Sequence, residues 1–203
     1  AYKVDYQPAD VEKLRQLNET SGLIFLPNHR SYLDPLVLRW ALERHGFPPN
    51  NTLGGSNLAL WPMSEIGRRN GIVFIRREFR DDHLYRAVLK AYLSHLMDNK
   101  HNLEWYIEGG RTRTGKLRPP RYGILSYVVD AFADNPDRDV RIVPTSIIYD
   151  QQHEVSAISA EEMGGTKTPE SLSWLYKFAR SQSRGLGRAH LRFGDPLSLT
   201  DAL

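Results

Sequence analysis

Short apolar runs alternate with helix-forming segments along most of this chain of 203 residues, and this alternation constrains the fold more than any other feature. Strands are predicted at residues 23–26, 52–56, 71–75, 103–107, 140–148 and 189–193. Helices are predicted at residues 9–18, 34–45, 82–99, 122–132 and 169–181. Strands that alternate with helices favour parallel pairing, because the chain must cross back over the sheet between them. The sequence therefore predicts an α/β fold, a single domain over residues 1–203 with a largely parallel mixed sheet flanked by helices.

Three details of this pattern carry further expectations. The strand at residues 71–75 is apolar throughout, so it is predicted to be central, with both faces covered. Pro144 cannot donate to a neighbouring strand, so it indicates an edge, a bulge or a strand end within residues 140–148. Residues 57–67 hold large apolar side chains around a proline. Such a segment most often belongs to the core and less often lines a pocket for an apolar chain.

The composition is ordinary for a globular protein and removes several kinds of chemistry. Hydrophobic residues make up 40% and charged residues 25% of the chain. No apolar run approaches the ~18 residues of a transmembrane helix, and no signal peptide is recognisable, so membrane contact is expected to be peripheral. The absence of cysteine excludes disulfides, thiolate metal sites and a cysteine nucleophile. No metal-binding pattern such as H-E-x-x-H occurs, and no cofactor is expected.

His29 and Asp34 lie between the strand predicted at residues 23–26 and a helix that opens with Asp34-Pro35. Open α/β sheets usually place their chemistry at such strand-to-helix connections. On a continuous helix two side chains five residues apart would point about 140° apart, so only a turn that folds back joins carboxylate and imidazole. Asp34 would then fix one tautomer while the other nitrogen takes a proton from a substrate hydroxyl. Taken alone, the pair fits better an aspartate that caps the helix and an ordinary loop histidine.

The net charge is only +3, but many cations fall between residues 76 and 121. Arg76 and Arg77 end the apolar strand at residues 71–75, at the sheet edge where His29 is expected. Two guanidinium groups at this place suit a phosphate, which arginine binds in a bidentate manner. A pair of solvated arginines at a strand end is the alternative, and the sequence leaves both open.

A second basic loop, at residues 108–116, also follows a predicted strand. Its paired glycines are Gly109 and Gly110, and its cations are Arg111, Arg113 and Lys116. Paired glycines permit backbone angles and close approaches that other residues forbid, but the spacing matches neither a Walker A loop nor G-x-G-x-x-G. Glu108 either balances and orients the arginines, which is the favoured interpretation, or contacts the substrate. A flexible basic turn is the alternative for the whole loop.

In their order, these segments resemble the four conserved blocks of the glycerolipid acyltransferases. The matching blocks are residues 28–34 (the H-x4-D block), 71–77 with Phe79, 108–116 and 142–146. Residues 165–199 resemble the downstream part of the large glycerol-3-phosphate acyltransferases. Arg30, residues 74–77 and residues 108–111 resemble the glycerol-3-phosphate and dihydroxyacetone-phosphate enzymes more than the lysophosphatidate enzymes. Members of the large bacterial and mitochondrial group are several times longer, so the chain is expected to be a catalytic segment of a longer protein.

The resemblance implies a reaction in phospholipid biosynthesis. An acyl group would pass from acyl-CoA or acyl-acyl carrier protein, as co-substrate, to the sn-1 hydroxyl of glycerol 3-phosphate, giving lysophosphatidate; dihydroxyacetone phosphate is the alternative acceptor. His29 would be the general base and Asp34 would orient it. The implied substrate-binding residues are Arg76, Arg77, Glu108, Gly109, Gly110, Arg111, Arg113 and Lys116. Ser31 lacks the glycine pattern of a nucleophile elbow, so no acyl-enzyme is expected.

The implied setting is peripheral, at the cytoplasmic face of the cell membrane, with acyl carrier protein as a further partner. A hypothesis from another class is a non-catalytic module whose basic loops bind nucleic acid or anionic lipid. Against nucleic acid, the sequence has no helix-turn-helix, RRM or KH signature. Its aromatic residues also fall mainly in predicted apolar elements rather than between the arginines, so no nucleic-acid partner is expected.

Overall fold

The computed structural model describes residues 2–56, 63–76, 79, 81–112, 116–151 and 187–203. Its strands are β1 (Lys3–Asp5), β2 (Gly22–Pro27), β3 (Asn51–Gly55), β4 (Ile72–Ile75), β5 (Leu103–Glu104), β6 (Val140–Tyr149), β7 (Arg188–Phe193) and β8 (Leu197–Ser198). Its helices are α1 (Pro8–Asn18), α2 (Asp34–Glu43), α3 (Met63–Arg69), α4 (His83–Asp98), α5 (Gly123–Ala133) and α6 (Leu199–Ala202). In this described part, no helix is long and apolar enough to cross a bilayer.

The strands of the described residues form one sheet in the order β1-β7-β6-β2-β5-β3-β4, with β8 beside β6. Strands β2 to β6 are joined by parallel pairings, whereas β7 and β8 run antiparallel to β6. The prediction of a largely parallel mixed sheet flanked by helices is therefore confirmed. Because the carboxyl ends of the parallel strands share one edge, the segments that follow β2, β4 and β5 all lie along that edge.

Helices cover both faces of this sheet. On one face, α1 and α2 contribute apolar side chains such as Val11 and Leu38 to a buried cluster that also contains Phe25 of β2. On the other face, α4 and α5 pack over Ile24, the preceding residue of the same strand. Successive strand residues point to opposite faces, so an entirely apolar β2 is what a sheet covered on both sides requires.

The central position predicted for the strand at residues 71–75 is wrong. β4 lies at the end of the strand order, and β3 is its strand partner among the described residues. Ile75 joins the cluster under α4, while a side chain at Gly67 of α3 would come within 3.1 Å of Phe74 and 3.3 Å of Ile72. Helices thus cover both faces of an edge strand. An apolar run therefore indicates that both faces of a strand are covered, but it does not indicate how many strands lie beside it.

Pro144 lies inside a continuous β6, at the point where the neighbour on one side changes. Residues up to Ile142 pair with β8, and residues from Thr145 onward pair with β7. The Pro144 carbonyl accepts from the Gly194 amide on this side at 2.7 Å. The missing N–H therefore falls in a gap between two ladders, where no strand bond is lost.

Two predicted elements differ from the structure or lie outside it. β5 ends at Glu104 instead of Ile107, because the chain turns there and the Gly109 amide donates to the Tyr106 carbonyl at 2.8 Å. The predicted helix at residues 169–181, and residues 57–62 of the apolar segment, lie outside the described residues.

Candidate active site

His29 follows β2 by two residues, and its ring contacts Asp34, the first residue of α2. Its Nδ1 lies 2.9 Å from Oδ2 of Asp34, so the connection folds back as the spacing requires. A carboxylate partner places the proton on Nδ1, which leaves Nε2 as a proton acceptor. Nε2 contacts no hydrogen-bonding atom of the described residues, and the side chain keeps 18% of its surface exposed. The imidazole can therefore take a proton from a group outside the chain.

Asp34 is fully buried and held by four donors. Besides the imidazole, Oδ2 accepts the backbone amides of Arg30 at 2.6 Å and Ser31 at 2.9 Å. Oδ1 accepts the Tyr149 hydroxyl at 2.7 Å. The sequence-based suggestion that Asp34 caps α2 is wrong, because Leu33 is the N-cap residue and no side chain caps this helix. The carboxylate points into the preceding turn, where these donors converge.

Tyr106, just beyond β5, covers one face of the imidazole. The ring centroids of His29 and Tyr106 lie 4.1 Å apart with an interplanar angle of 28°. The Tyr106 hydroxyl donates to Oε1 of Glu104 at 3.0 Å, while Oε2 of Glu104 accepts from the Asn50 amide at 3.1 Å and the Thr52 hydroxyl at 3.4 Å. Burial raises the pKa of Glu104 to about 7, and burial also raises the pKa of Tyr106.

Glu108 and Thr112 attach the second basic loop to the histidine. Oε1 of buried Glu108 accepts the His29 amide at 3.0 Å, and Oε2 accepts the Arg118 amide at 2.8 Å. The Thr112 amide donates to the His29 carbonyl at 3.0 Å. Both Glu108 oxygens thus bind backbone amides rather than guanidinium groups, which differs from the favoured sequence-based interpretation. Glu108 fixes the backbone on which the base is carried.

The two glycines of this loop permit the close approaches that the sequence indicated. Gly109 has a φ of 65°, and a Cβ there would lie 2.5 Å from Cδ of Arg121. A Cβ on Gly110 would lie 2.9 Å from Nη1 of Arg118. Arginine side chains of the chain itself therefore pack against both glycines, and any other residue would displace them.

The predicted cations divide into two places. The Arg111 guanidinium lies over the Tyr32 ring, 3.5 Å from its centroid, and therefore beside the turn that carries His29. Arg76 instead contacts the start of α4, with Nη1 3.1 Å from Oδ2 of Asp82, and its side chain is 62% exposed.

The remaining predicted cations are less fully described. Lys116 closes the loop through its carbonyl, which accepts the Thr112 hydroxyl at 2.6 Å. Arg77 and Arg113 lie outside the described residues.

Sequence reasoning gave no role to several residues that build the site. Asn28 joins the motif to β6, since its side chain accepts the Ile147 amide at 2.7 Å and donates to the Ile147 carbonyl at 3.2 Å. Tyr106, Tyr149 and Glu104 were also missed. One signal was available, because Glu104 is the only charged residue within the predicted strand at residues 103–107. Among the described residues, no group of three or more potential ligands could hold a metal ion.

The carboxyl edge of this α/β sheet holds a histidine whose Nε2 can accept a proton and, beside it, a basic loop, which is a class of site suited to proton transfer next to an anionic ligand. Comparison with known proteins makes the class specific. The family model described as Acyltransferase matches residues 8–148, and the model described as Glycerol-3-phosphate acyltransferase C-terminal region matches residues 159–203. The chain belongs to the Acyltransferase family, as the resemblance of its four blocks implied.

The relatives and a solved structure agree with this family. The chain is 47% identical to "Putative acyltransferase plsB1" of Mycobacterium tuberculosis over all 203 residues, which is 33% of that protein. It is 37% identical to "Glycerol-3-phosphate acyltransferase" of Pseudoalteromonas translucida over 98% of this chain and 25% of that protein. The chain thus spans a quarter to a third of the curated relatives. The crystal structure of the 1-acyl-sn-glycerophosphate acyltransferase PlsC from Thermotoga maritima shares the fold, with a TM-score of 0.52 and 15% identity over 97% of this chain and 62% of that one.

Proposed function

We propose that this chain transfers a fatty acyl group from acyl-CoA or acyl-acyl carrier protein to the sn-1 hydroxyl of glycerol 3-phosphate, as part of phospholipid biosynthesis. One observation carries the proposal. The Nδ1 atom of His29 lies 2.9 Å from buried Asp34, which leaves Nε2 as a proton acceptor at the edge that holds the basic loop. The name of the relative from Pseudoalteromonas translucida, "Glycerol-3-phosphate acyltransferase", supports the choice of glycerol 3-phosphate as acceptor.

The reaction needs one base and no covalent intermediate. Nε2 of His29 takes the proton of the sn-1 hydroxyl while the hydroxyl oxygen attacks the thioester carbonyl. The carbon–sulfur bond then breaks, and the imidazolium returns the proton to the leaving thiolate, which yields lysophosphatidate and the free thiol. Asp34 holds Nδ1–H and stabilises the imidazolium during the transfer. Ser31 serves the turn: its amide donates to Asp34, and its hydroxyl accepts the Leu33 amide at 3.1 Å.

The acceptor phosphate belongs with the arginines. Arg111, over Tyr32, supplies a guanidinium beside the turn that carries His29, and such a group suits a phosphate. Arg76, which follows β4, supplies further positive charge. Arg77, Arg113 and Lys116 are the other cations that the family resemblance implies. Glu108 holds the loop in place through the His29 and Arg118 amides.

The acyl donor sets the location of the enzyme. An acyl chain favours peripheral contact with the cytoplasmic face of the membrane, and acyl carrier protein is a partner where it serves as donor. Leu36 and Trp40 of α2 support this part of the proposal, since they are 61% and 42% exposed on the helix that starts at the active site. Neighbouring exposed apolar side chains provide an apolar surface, which an acyl chain or a membrane can contact.

The test is an acyl-transfer assay with purified protein. Labelled glycerol 3-phosphate and palmitoyl-CoA should give labelled lysophosphatidate and one equivalent of free thiol. Dihydroxyacetone phosphate as competing acceptor and acyl-acyl carrier protein as second donor rank the alternatives by kcat/KM. Binding to anionic vesicles without acceptor-dependent thiol release from either donor would exclude the proposal and favour a lipid-binding module.

A further inference from the structure

We infer that Tyr106 and Glu104 form a positioning relay that fixes the plane of the catalytic imidazole from the neighbouring strands. The inference rests on the proposed role of His29 as general base and adds two residues to its machinery. Tyr106 would hold the ring by its face, and Glu104 would hold Tyr106 by its hydroxyl. The claim concerns the orientation of Nε2, not direct contact with substrate.

The stacking geometry is the first support. A histidine that carries one hydrogen bond at Nδ1 can still rock about its Cβ–Cγ bond, and this motion carries Nε2 out of its position. The Tyr106 ring, 4.1 Å away and tilted by 28°, blocks this motion on one side. The negative face of an aromatic ring also attracts a cation, so the same contact favours the imidazolium that forms during the reaction.

The anchoring of Tyr106 is the second support. Glu104 is 1% exposed, and its three hydrogen-bond donors are Asn50, Thr52 and Tyr106. Asn50 immediately precedes β3 and Thr52 lies within it, so Glu104 links that strand to the tyrosine. Burying a carboxyl group costs free energy, which the three hydrogen bonds of Glu104 offset. One of these bonds holds the Tyr106 hydroxyl at a fixed point.

The test uses a graded series of substitutions. Tyr106→Leu removes the stacked ring and should lower kcat roughly 3- to 30-fold, with both KM values within about twofold of wild type. Tyr106→Phe keeps the ring but loses its anchor, and Glu104→Gln weakens the same anchor; each should lower kcat about 2- to 5-fold. Because Glu104 acts through the Tyr106 hydroxyl, Glu104→Gln should have no further effect on kcat in the Tyr106→Phe background.

Tyr6 provides a matched control. Its hydroxyl lies 3.2 Å from Nε2 of His45, and its ring meets that histidine edge-on with centroids 5.6 Å apart, so it provides a tyrosine–histidine contact away from the active site. Tyr6→Leu should leave kcat unchanged. Wild-type kcat in folded Tyr106→Leu, a loss confined to KM, or multiplicative losses in the double variant would each overturn the relay.

A second measurement separates the relay from the proposed reaction. In ¹⁵N-histidine NMR of the substrate-free protein, the Nδ1–H resonance of His29 should be sharp in wild type and in Tyr6→Leu. It should broaden through faster exchange with water in Tyr106→Leu, because the ring then moves against Asp34. Broadening without any acyl transfer in wild type would support the relay and reject the proposed function. An unchanged resonance in Tyr106→Leu would reject the relay whatever the activity.

Discussion

Two histidines in the described part of the chain lie against carboxylates, and their surroundings differ. His29 presents one nitrogen to Asp34, which is 0% exposed, and keeps the other as an acceptor. His190 of β7 uses both nitrogens, with Nδ1 2.9 Å from Asp5 and Nε2 2.8 Å from Asp150. A histidine–carboxylate contact therefore indicates a base only where the second nitrogen remains available. His190 instead joins β1, β7 and the residue that follows β6.

The charges around His190 agree with a structural role. Its hydrogen bonds to Asp150 and Asp5 raise the pKa of His190, which favours a cation held between two anions. Two hydrogen bonds lower the pKa of Asp5, and the one from Arg192 has a larger effect than the one from His190. Because both ring nitrogens of His190 contact carboxylates, neither is available to accept a proton from a substrate. The comparison thus separates a proton acceptor from an ionic link between strands.

The largest expected effect comes from neutralising the carboxylate partner of each histidine. Asp34→Asn should lower kcat by about 10²- to 10⁴-fold, because the amide no longer holds one imidazole tautomer or balances the imidazolium. It should also cost about 1–3 kcal/mol of unfolding free energy, since an amide cannot satisfy all four donors. Asp5→Asn should leave kcat unchanged. Steady-state kinetics and urea unfolding measure both effects, and equal kcat losses for the two variants would remove the distinction.

A second test uses the pH dependence of stability. The folded-state pKa of Glu104 is about 7, against an ordinary value of 4.5, so between these pH values the unfolded chain releases a proton that the folded chain keeps. The contribution of Glu104 is complete below pH 4.5 and falls as pH rises to 7, by on the order of 3 kcal/mol. Glu104→Gln should flatten this slope in urea unfolding measured from pH 5 to pH 7. An unchanged slope in the variant would mean that Glu104 is ionised in the folded protein throughout this range.

The arginines give an effect of intermediate size on the acceptor side of the kinetics. Arg111→Ala should lower kcat/KM for glycerol 3-phosphate by about ten- to a hundredfold, with little change in the KM for acyl-CoA. Arg111→Lys should rescue only part, because lysine keeps the charge but lacks the planar fork. Arg192→Ala is the control, since that guanidinium lies 2.6 Å from Asp5 at the structural histidine. A rise confined to the acyl-CoA KM would assign Arg111 to the donor instead.

The smallest effect is expected at the structural histidine itself. Because the folded-state pKa of His190 is raised above its ordinary 6.5, its stabilising effect is complete below pH 6.5 and is lost as pH rises through the folded value. His190→Gln should lower Tm by about 1–3 °C at pH 6, as expected for an exposed ionic link. The difference from wild type should shrink toward pH 9. Thermal unfolding at both pH values tests this, and a difference that grows with pH would contradict it.

The local sequence was enough to predict the fold and the contact between His29 and Asp34. The alternation of strands and helices predicted the sheet, and the fold-back between β2 and α2 followed from a five-residue spacing that a helix cannot satisfy. The edge position of β4 did not follow, because α3 and α4 cover both of its faces and so give it the composition of a central strand.

The surroundings of the pair depend on the register of distant strands. Tyr149 reaches Asp34 across 115 residues of sequence, and Tyr106 meets His29 only because β5 lies beside β2. Composition and residue spacing do not show which residues the pairing of distant strands brings together. The sequence shows Glu104 as a lone charge in an apolar strand. It does not show the partners Asn50 and Thr52, which depend on the parallel pairing of β3 with β5.

The most direct test compares the two histidines in one assay. Acceptor-dependent transfer from palmitoyl-CoA to glycerol 3-phosphate is measured for His29→Ala and His190→Ala, each corrected for its folded fraction. Loss of the base should lower kcat in His29→Ala by about 10²- to 10⁴-fold with the acceptor KM nearly unchanged. His190→Ala should keep the wild-type kcat. A His29→Ala variant that kept more than about a tenth of the wild-type kcat, or an equal loss in His190→Ala, would show that His29 is not the base.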